Sequence, residues 1–386
     1  MRLPVYLDHA ATTPVAPAVL AAMQPFFSDV FANPAAAHAA GLEAREAVET
    51  SRETLARLIG ADPEEITFTS GGTESDNLAL KGVARAVLGE RRHVLVSAIE
   101  HHAVLDAARA LSAEGFDVET LPVTAEGIVE PEAVADRISA RTALVSVMHA
   151  NNEVGTVEPI SEIGRICREA GVPFHVDAVQ TFGRAPLDVR ASFVDLASVS
   201  GHKLYGPKGI GALYVRRGVR LVPCQDGGEQ ERGRRAGTLN VPGIVGLAVA
   251  AEAACAEREA ESARLATLRD RLMAALLANV PGCRISGSRR QRLPNNVHVC
   301  IEGVEGEPVL LALDAAGVFA SAGSACSAGS TEPSHVLIAM GLGRNLARGA
   351  LRLTLGKDTD AAAVEYAAEA VAHAVTEVRG MAATGS

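Results

Sequence analysis

The stretch SVSGHKLYGPKGIGALYV, residues 198–215, contains two of the four lysines in the chain. It begins inside an apolar run, residues 194–200, that is typical of a buried strand, and residues 209–215 have the same character. The glycines and the proline between the two runs predict a tight turn. Lys203 therefore lies at the mouth of a strand, where a lysine amine can form a Schiff base with an aldehyde cofactor. Considered alone, it would be an ordinary solvated surface lysine.

Short apolar runs alternate with helix-length segments through the first two thirds of the chain. The predicted strands cover residues 66–70, 93–99, 143–150, 173–179, 194–200 and 211–217. This alternation predicts an α/β fold with a mainly parallel sheet and helices on both of its faces. In such an open sheet, a ligand site is expected at the carboxyl ends of the strands.

The last third of the chain predicts a second, smaller α+β unit. A long amphipathic helix leading out of the first unit is indicated by leucines at helical spacing, namely Leu265, Leu268, Leu272 and Leu276. Beyond it, NNVHVCIE, GVFASAG and ALRLTLG are predicted strands, and an Ala-rich helix is predicted from residue 360 to about residue 378. We therefore expect a large domain over residues 15–255 and a small domain formed by residues 1–14 and 256–386.

The composition limits the classes of protein that this chain fits. It has 386 residues, a formal net charge of −10, 48% hydrophobic and 21% charged residues. These values are ordinary for a soluble globular protein, and the acidic balance argues against nucleic-acid binding. No apolar run reaches membrane-spanning length, and the N-terminus lacks the apolar stretch of a signal peptide. We therefore expect a cytoplasmic protein without a membrane partner.

The cysteines are scattered, with no C-x-x-C and no zinc spacing, so we expect reduced thiols and no metal site. Five are expected to be packing residues: Cys167, Cys224, Cys255, Cys283 and Cys300. The sixth, Cys326, lies in SAGSACSAGSTEP, where small residues and two glycines predict a mobile loop and an accessible thiol.

Polar residues follow the ends of the predicted strands. Residues 70–73, Ser-Gly-Gly-Thr, precede a helix, where main-chain N–H groups and the helix dipole can hold a phosphate; a plain turn is the alternative. Asp177 ends a strand and can keep a pyridine nitrogen protonated, with helix capping as the alternative. His101 and Asn152 follow two further strands, although a lone histidine is more often structural. With Lys203, these residues describe a pyridoxal phosphate (PLP) site better than any one of them does alone.

Several motifs of the chain resemble those of cysteine desulfurases of the NifS/IscS class, in the large family of aminotransferase-like PLP enzymes. They are TSGGTESDNLA, MHANNEVG, FHVDAVQ, SGHKLYGPKGIGALY, ERGRRAGT and SAGSACSAGSTEPSHVL, within a similarity from residue 6 to about residue 359. The resemblance implies a fold-type I PLP-dependent transferase, with a mainly parallel seven-stranded sheet in its large domain. It also implies a homodimer that converts L-cysteine to L-alanine and passes the sulfur, as a persulfide, to an acceptor protein.

The resemblance also implies roles for individual residues. Lys203 carries the cofactor and moves the substrate α-proton, Asp177 bonds the pyridine nitrogen, and His101 stacks on the ring and moves thiol protons. Cys326 becomes the persulfide, and Arg352 clamps the substrate carboxylate with its planar, always-charged fork. The other implied contacts, to the cofactor phosphate, the ring substituents and the substrate, come from Gly72, Thr73, Asn152, Gln180, Ser200, His202 and, across a dimer interface, Thr238.

Two other functions remain open at this point. One is a different enzyme on the same site, a selenocysteine lyase or another PLP-dependent transferase. The other is a catalytically silent scaffold for iron–sulfur assembly, which the intact Lys203, Asp177 and Cys326 disfavour. The acceptor of the sulfur, an iron–sulfur scaffold or a thiolation carrier, is not named by any motif.

Overall fold

A seven-stranded sheet forms the centre of the structure, a computed structural model that describes residues 4–322 and 332–384. Strand β1 (Val5–Tyr6) lies outside this sheet. The sheet strands are β2 (Ile66–Thr69), β3 (His93–Ser97), β4 (Asp117–Leu121), β5 (Thr142–Ser146), β6 (Phe174–Asp177), β7 (Leu196–Ser200) and β8 (Gly211–Val215). Their spatial order is β2-β8-β7-β6-β5-β3-β4. Only β8 runs antiparallel to its neighbours, so the mainly parallel seven-stranded sheet is confirmed.

The interior strands are buried along their whole length, which explains their continuous apolar runs. Strand β4 was not predicted, because its sequence, DVETL, has only two apolar residues. It pairs with β3 alone and is mostly exposed, so an edge position tolerates the charged residues. The connection between β6 and β7 consists of turns, whereas the sequence predicted a helix-length segment there.

Helices cover both faces of this sheet and continue beyond it. They are α1 (Pro17–Met23), α2 (Pro25–Ser28), α3 (Ala39–Ile59), α4 (Gly72–Ala86), α5 (His102–Ala113), α6 (Pro131–Ala135), α7 (Ile160–Glu169), α8 (Val241–Asn279), α9 (Gly306–Ala315), α10 (His335–Ala339), α11 (Arg344–Ala347) and α12 (Ala361–Thr384). The predicted long helix is α8, with 39 residues, and its four leucines are buried as expected. Helix α12 extends a few residues further than predicted.

Two small sheets accompany the second half of the chain. Strands β9 (Cys283–Ile285), β10 (Asn296–Ile301) and β12 (Ala350–Thr354) form an antiparallel sheet, and β11 (Val318–Phe319) pairs in parallel with β1. One apolar cluster joins Val5 and Leu7 to residues between Leu265 and Val375. This packing supports the proposed small domain made from both ends of the chain.

The five described cysteines are free thiols. Cys167 and Cys300 are buried, as a packing role requires, but Cys224 is exposed. The expectation for Cys224 was therefore wrong: it lies in the irregular, mostly exposed segment that follows β8. Within the described ranges, no helix has the length and apolar character that crossing a membrane would require.

Candidate active site

A cavity of about 330 Å³ opens at the carboxyl ends of the central strands. The predicted residues that line it are Gly72, Thr73, His101, Asn152, Asp177, Gln180, Ser200, His202, Lys203 and Arg352. They come from segments spread over 280 residues of sequence, from Gly72 to Arg352. Because parallel strands end at one edge of the sheet, the fold brings these segments together.

The turn that the sequence predicts to bind a phosphate lies between β2 and α4. A Cβ added to Gly211 of β8 would lie 2.7 Å from the Cα of Gly71, and one added to Gly72 would lie 2.7 Å from Cγ2 of Val179. Glycine is therefore required where this turn passes close to its neighbours. The start of α4 also lies beside Ser200, so main-chain N–H groups and a hydroxyl face the same end of the cavity.

His202 lies on the wall of the cavity near the same end. Its Nδ1 is 3.1 Å from the hydroxyl oxygen of Thr12. Burial, followed by the charges of Lys203 and Lys208, lowers the pKa of His202 to about 4. The ring is therefore neutral at pH 7, and it can act as a hydrogen-bond donor without adding a charge.

Lys203 ends a three-residue 3-10 turn that follows β7 directly. Its Nζ donates hydrogen bonds to the carbonyl oxygens of Ala10 and Ala11, both at 2.7 Å. Gln180 donates to the same Ala10 oxygen at 3.0 Å. The sequence did not identify this N-terminal segment as a wall of the site, because main-chain acceptors have no residue signature. The amine is held inside the cavity by polar groups and not in solvent.

Asp177 ends β6, and its Oδ1 accepts a hydrogen bond from the Val179 N–H at 2.9 Å. Burial raises the pKa of Asp177 to about 6, while the charge of Lys203 opposes this rise. A second buried acid, Asp76 of α4, lines the same cavity, and burial followed by the charge of Asp177 raises its pKa. Two neighbouring buried carboxylates disfavour each other's ionised form, which adds to the effect of burial on the pKa of Asp76.

His101 is the residue that precedes α5, and its Nδ1 accepts a hydrogen bond from the Ala103 N–H at 3.1 Å. Nδ1 therefore carries no proton, and the neutral ring has its proton on Nε2. Burial lowers the pKa of His101 to about 4, with further lowering by the charges of Lys203, His102 and His335. A flat, neutral imidazole thus faces the cavity.

Arg352 lies on β12 with its side chain 2% exposed. Its Nη1 donates to the carbonyl oxygen of Asn152 at 2.9 Å, and its Nη2 donates to Oδ1 of Asp8 at 2.8 Å. Asp8 was not identified as a site residue, although it belongs to the motif at which the resemblance begins. The two contacts fix the plane of the guanidinium beside the cavity.

Thr238 is not among the described residues that line the cavity, and the structure does not describe Cys326. Thr238 is exposed, and neighbouring Arg235 pairs with Glu74 of α4, Nε to Oε1, at 2.9 Å. Cys326 lies in residues 323–331, outside the described residues.

The chain on either side of residues 323–331 is attached to the cavity wall. Before this segment, the main chain of Ser321 pairs with that of Arg352 through hydrogen bonds of 2.6 and 3.1 Å. After it, the hydroxyl of Ser334 donates to Glu153 at 2.5 Å. Both Arg352 and Glu153 line the cavity.

These residues fit PLP in charge and in chemistry. A helix start with hydroxyl and imidazole donors suits the phosphate, and a buried carboxyl suits a protonated ring nitrogen. A flat neutral ring suits stacking, and Lys203 supplies the amine. Among the described residues of the cavity wall, none conflicts with this group.

Comparison with known proteins agrees with this site. The family model for aminotransferase class-V matches residues 5–366. The chain is 50% identical over 384 residues to a cysteine desulfurase IscS of Anaeromyxobacter dehalogenans (strain 2CP-C), covering 99% of this chain and 95% of that protein. A cysteine desulfurase IscS of Methanosarcina thermophila is 48% identical over 377 residues, covering 98% and 93%.

Solved structures show the same relationship. A NifS-like protein aligns with a TM-score of 0.91 and 38% identity, covering 97% of this chain and 100% of that one. SspA in complex with cysteine aligns with a TM-score of 0.81 and 42% identity, covering 91% and 98%.

Proposed function

The chain belongs to the aminotransferase class-V family, and from that premise we propose how its cavity carries out the reaction of a PLP-dependent cysteine desulfurase. The enzyme converts L-cysteine to L-alanine, and we assign Cys326 as the residue that receives the sulfur. We base this assignment of roles on one observation: the same cavity is lined by Lys203, Asp177, His101 and Arg352.

The cofactor, when bound, supplies a sink for the electrons of the substrate's Cα–H bond. Lys203 Nζ holds the cofactor and then takes the α-proton as a general base. Asp177, in its ionised form, holds a proton at the ring nitrogen. Burial and the charge of Asp177 raise the pKa of neighbouring Asp76, which favours keeping the negative charge of this buried pair on Asp177.

Arg352 binds the carboxylate of L-cysteine, and Asn152 lies beside it. Because the guanidinium is already held by Asp8 and by a main-chain carbonyl, little side-chain entropy is lost when the substrate binds. This preorganisation also orients the substrate's Cα–H bond towards Lys203.

His101 positions the substrate thiol. Its proton lies on Nε2, because Nδ1 accepts from the main chain, so the Nε2–H group donates a hydrogen bond to the substrate sulfur, which keeps its own proton. The Cys326 thiolate attacks the substrate sulfur, the C–S bond breaks, and the carbon keeps the electron pair. Protonation of that carbon leads to L-alanine, and Cys326 retains the sulfur as a persulfide.

We propose that the active unit is a cytoplasmic homodimer that passes its sulfur to an iron–sulfur scaffold or thiolation carrier. The exposed Thr238, in a turn tied to the start of α4 by Arg235 and Glu74, supports a contact with a neighbouring cavity. Light scattering of the active enzyme tests the dimer, and a fully active monomer would contradict it.

We also propose that the chain divides into a large domain, residues 15–255, and a small domain formed by residues 1–14 and 256–386.

The relative described as SspA in complex with cysteine favours L-cysteine over L-selenocysteine as the substrate. The test compares alanine release from both amino acids by the wild type and by Cys326→Ala. We expect Cys326→Ala to lose alanine release from L-cysteine while still binding the cofactor. If this variant releases alanine from L-cysteine at the wild-type rate, the proposed sulfur transfer is wrong. Turnover of L-selenocysteine alone by the wild type would indicate a selenocysteine lyase.

A further inference from the structure

Arg184 lies in the turn that follows β6, seven residues after Asp177. Its Nη2 donates a hydrogen bond of 2.5 Å to the main-chain carbonyl oxygen of Lys203. Its Nη1 lies 3.4 Å from the carbonyl oxygen of Gln180 in its own turn. One guanidinium therefore links the segment that carries Asp177 to the turn that carries Lys203.

The environment of Arg184 makes this link unusual for an arginine. The residue is half-buried, and burial lowers its pKa. Among the residues that the structure describes, no carboxylate pairs with its guanidinium, which donates to main-chain carbonyl oxygens. Burying a cation without a counter-charge costs free energy. A contact that serves the site would explain why an arginine occupies this position.

The main chain around Lys203 needs such support. The 3-10 turn that carries it has only three residues, and Tyr205 just beyond has φ +65°, a left-handed conformation that is rare for a bulky residue. Thr13 holds both sides: its hydroxyl donates to the His202 carbonyl at 2.9 Å and accepts from the Tyr205 N–H at 2.8 Å. At Lys203 itself, the main-chain carbonyl is held by Arg184.

We propose that Arg184 is a positioning residue that fixes the main chain of Lys203 relative to Asp177, so that the amine reaches both the cofactor and the substrate α-proton. The inference rests on the proposed role of Lys203 and deepens it. Arg184 touches neither reactant. It acts through the carbonyl of the residue that does.

The turn itself does not depend on this side chain. The Arg184 N–H donates to the Thr181 carbonyl at 2.8 Å, and the Arg184 carbonyl accepts from the hydroxyl of Ser262 on α8 at 3.1 Å. Gly183 packs against Ala254 of the same helix, where an added Cβ would lie 2.7 Å away. Substituting the Arg184 side chain therefore leaves the main-chain contacts of the turn in place.

The test compares Arg184→Met, Arg184→Lys and a control, Arg165→Met, with the wild-type holoenzyme. Arg165 is exposed on α7 and pairs only with Glu169 among the described ion pairs. Each protein is reconstituted with PLP, its melting temperature is measured, and borohydride followed by peptide mapping gives the fraction of cofactor trapped on Lys203. The kcat, corrected for cofactor content, and the KM for L-cysteine are then determined.

For Arg184→Met we expect a smaller trapped fraction and a kcat lowered about ten- to a hundredfold, because a misplaced catalytic group loses about that much rate. The KM should stay within about twofold, since Arg352 and Asn152 are untouched, and Arg184→Lys should recover part of the kcat. Wild-type trapping and kcat in Arg184→Met would overturn the proposal, as would a loss confined to melting temperature. If wild-type PLP is not trapped on Lys203, the proposed function fails instead.

Discussion

Lys203 donates two hydrogen bonds to main-chain carbonyl oxygens in a cavity that also holds Asp177. Three other lysines are present, Lys81, Lys208 and Lys357, and none of them lines this cavity. The chemistry of the cofactor needs one amine at the end of a strand beside a buried acid, and only Lys203 meets that requirement.

Replacing Lys203 by alanine therefore tests the assignment of the amine. We expect Lys203→Ala to fold, to bind PLP without a covalent link, and to lose desulfurase activity by at least about a thousandfold, since it lacks the general base. Borohydride reduction and peptide mapping of the wild type provide the measurement. A pyridoxyl group found on Lys81, Lys208 or Lys357 would refute the assignment.

The second prediction at the residue scale concerns Asp8. Its Oδ1 accepts a 2.8 Å hydrogen bond from the charged guanidinium of Arg352 and so helps to hold that side chain in place. Asp8→Ala should raise the KM for L-cysteine about tenfold with kcat changed less than about threefold, as expected for a lost charge-assisted contact. Asp8→Asn keeps an acceptor and should recover much of the affinity. Exposed Asp29→Ala is the control, and an unchanged KM in Asp8→Ala would show that Asp8 does not orient Arg352.

At the scale of elements, the proposed phosphate site depends on how closely the turn before α4 approaches strand β8 and the turn after β6. Gly72 lies at the start of α4, with Val179 of the turn after β6 directly against it. The start of α4 presents N–H groups to the cavity, and Val179 leaves no room for a side chain at position 72. Glycine at this position satisfies both conditions.

Gly72→Ala should therefore weaken cofactor binding. Its Cβ would lie 2.7 Å from Cγ2 of Val179, so either the turn or the valine must move. We expect the Kd for PLP, measured by absorbance titration, to rise about tenfold, corresponding to the loss of about one good hydrogen bond. Adding Val179→Ala should restore part of the affinity, because it removes the clash; a double variant no better than the single one would contradict this explanation.

The elements also show what could be predicted from the sequence and what could not. Continuous apolar runs predicted the interior strands, and the residues after them predicted Lys203, Asp177 and His101 in one cavity. Asp76 was missed because, in the sequence, it is an ordinary acid within a helix. Its significance comes from burial against Asp177, which depends on how α4 packs on the sheet.

Contacts between segments that are distant in the sequence could not be predicted, for a similar reason. Asp8 and Arg352 are 344 residues apart, and Arg184 reaches Lys203 through a main-chain oxygen. Neither contact has a local pattern, and a main-chain acceptor leaves no trace in residue identity. Edge strand β4 was not predicted because it is mostly exposed, and charged residues occupy positions that would be apolar in a buried strand.

At the scale of the whole molecule, burial shifts the pKa of many titratable groups away from their ordinary values. Burial raises the pKa of Glu100 and Glu158 to about 8. It lowers the pKa of several histidines, to about 4 in His9, His101, His149 and His202 and to about 3 in His175 and His298. Folding therefore keeps acids protonated and histidines neutral.

These shifts predict how stability depends on pH. Between about pH 7.5 and 8 the histidines are almost entirely neutral in both states, while the two glutamates hold protons mainly in the folded state. The unfolded state then binds fewer protons, so the free energy of unfolding of the cofactor-free protein falls as pH rises. Below about pH 7.5 the unfolded histidines take up protons, which opposes this trend and increasingly destabilises the fold as pH falls.

Glu158 allows a clean test because it lies outside the cavity. Its Oε2 accepts from the Val129 N–H at 2.8 Å, a contact that glutamine can keep. Between pH 6.5 and 7.5, Glu158→Gln should make the slope of the free energy of unfolding against pH more positive than in the wild type by about 1.4 kcal/mol per pH unit, measured by urea unfolding. The reason is that the folded variant no longer holds a proton at residue 158. Glu162→Gln, exposed on α7, is the control; equal slopes in all three proteins would contradict a protonated Glu158.

The central claim, that the cavity removes sulfur from L-cysteine and delivers it to Cys326, is tested most directly by mass spectrometry. The wild-type holoenzyme is incubated with L-cysteine, and its peptides are mapped with and without a thiol reductant. We predict a gain of one sulfur atom on Cys326, released as sulfide by the reductant, together with formation of L-alanine. Added sulfur on Cys167, Cys224 or another cysteine, or none on any of them while alanine forms, would contradict the account.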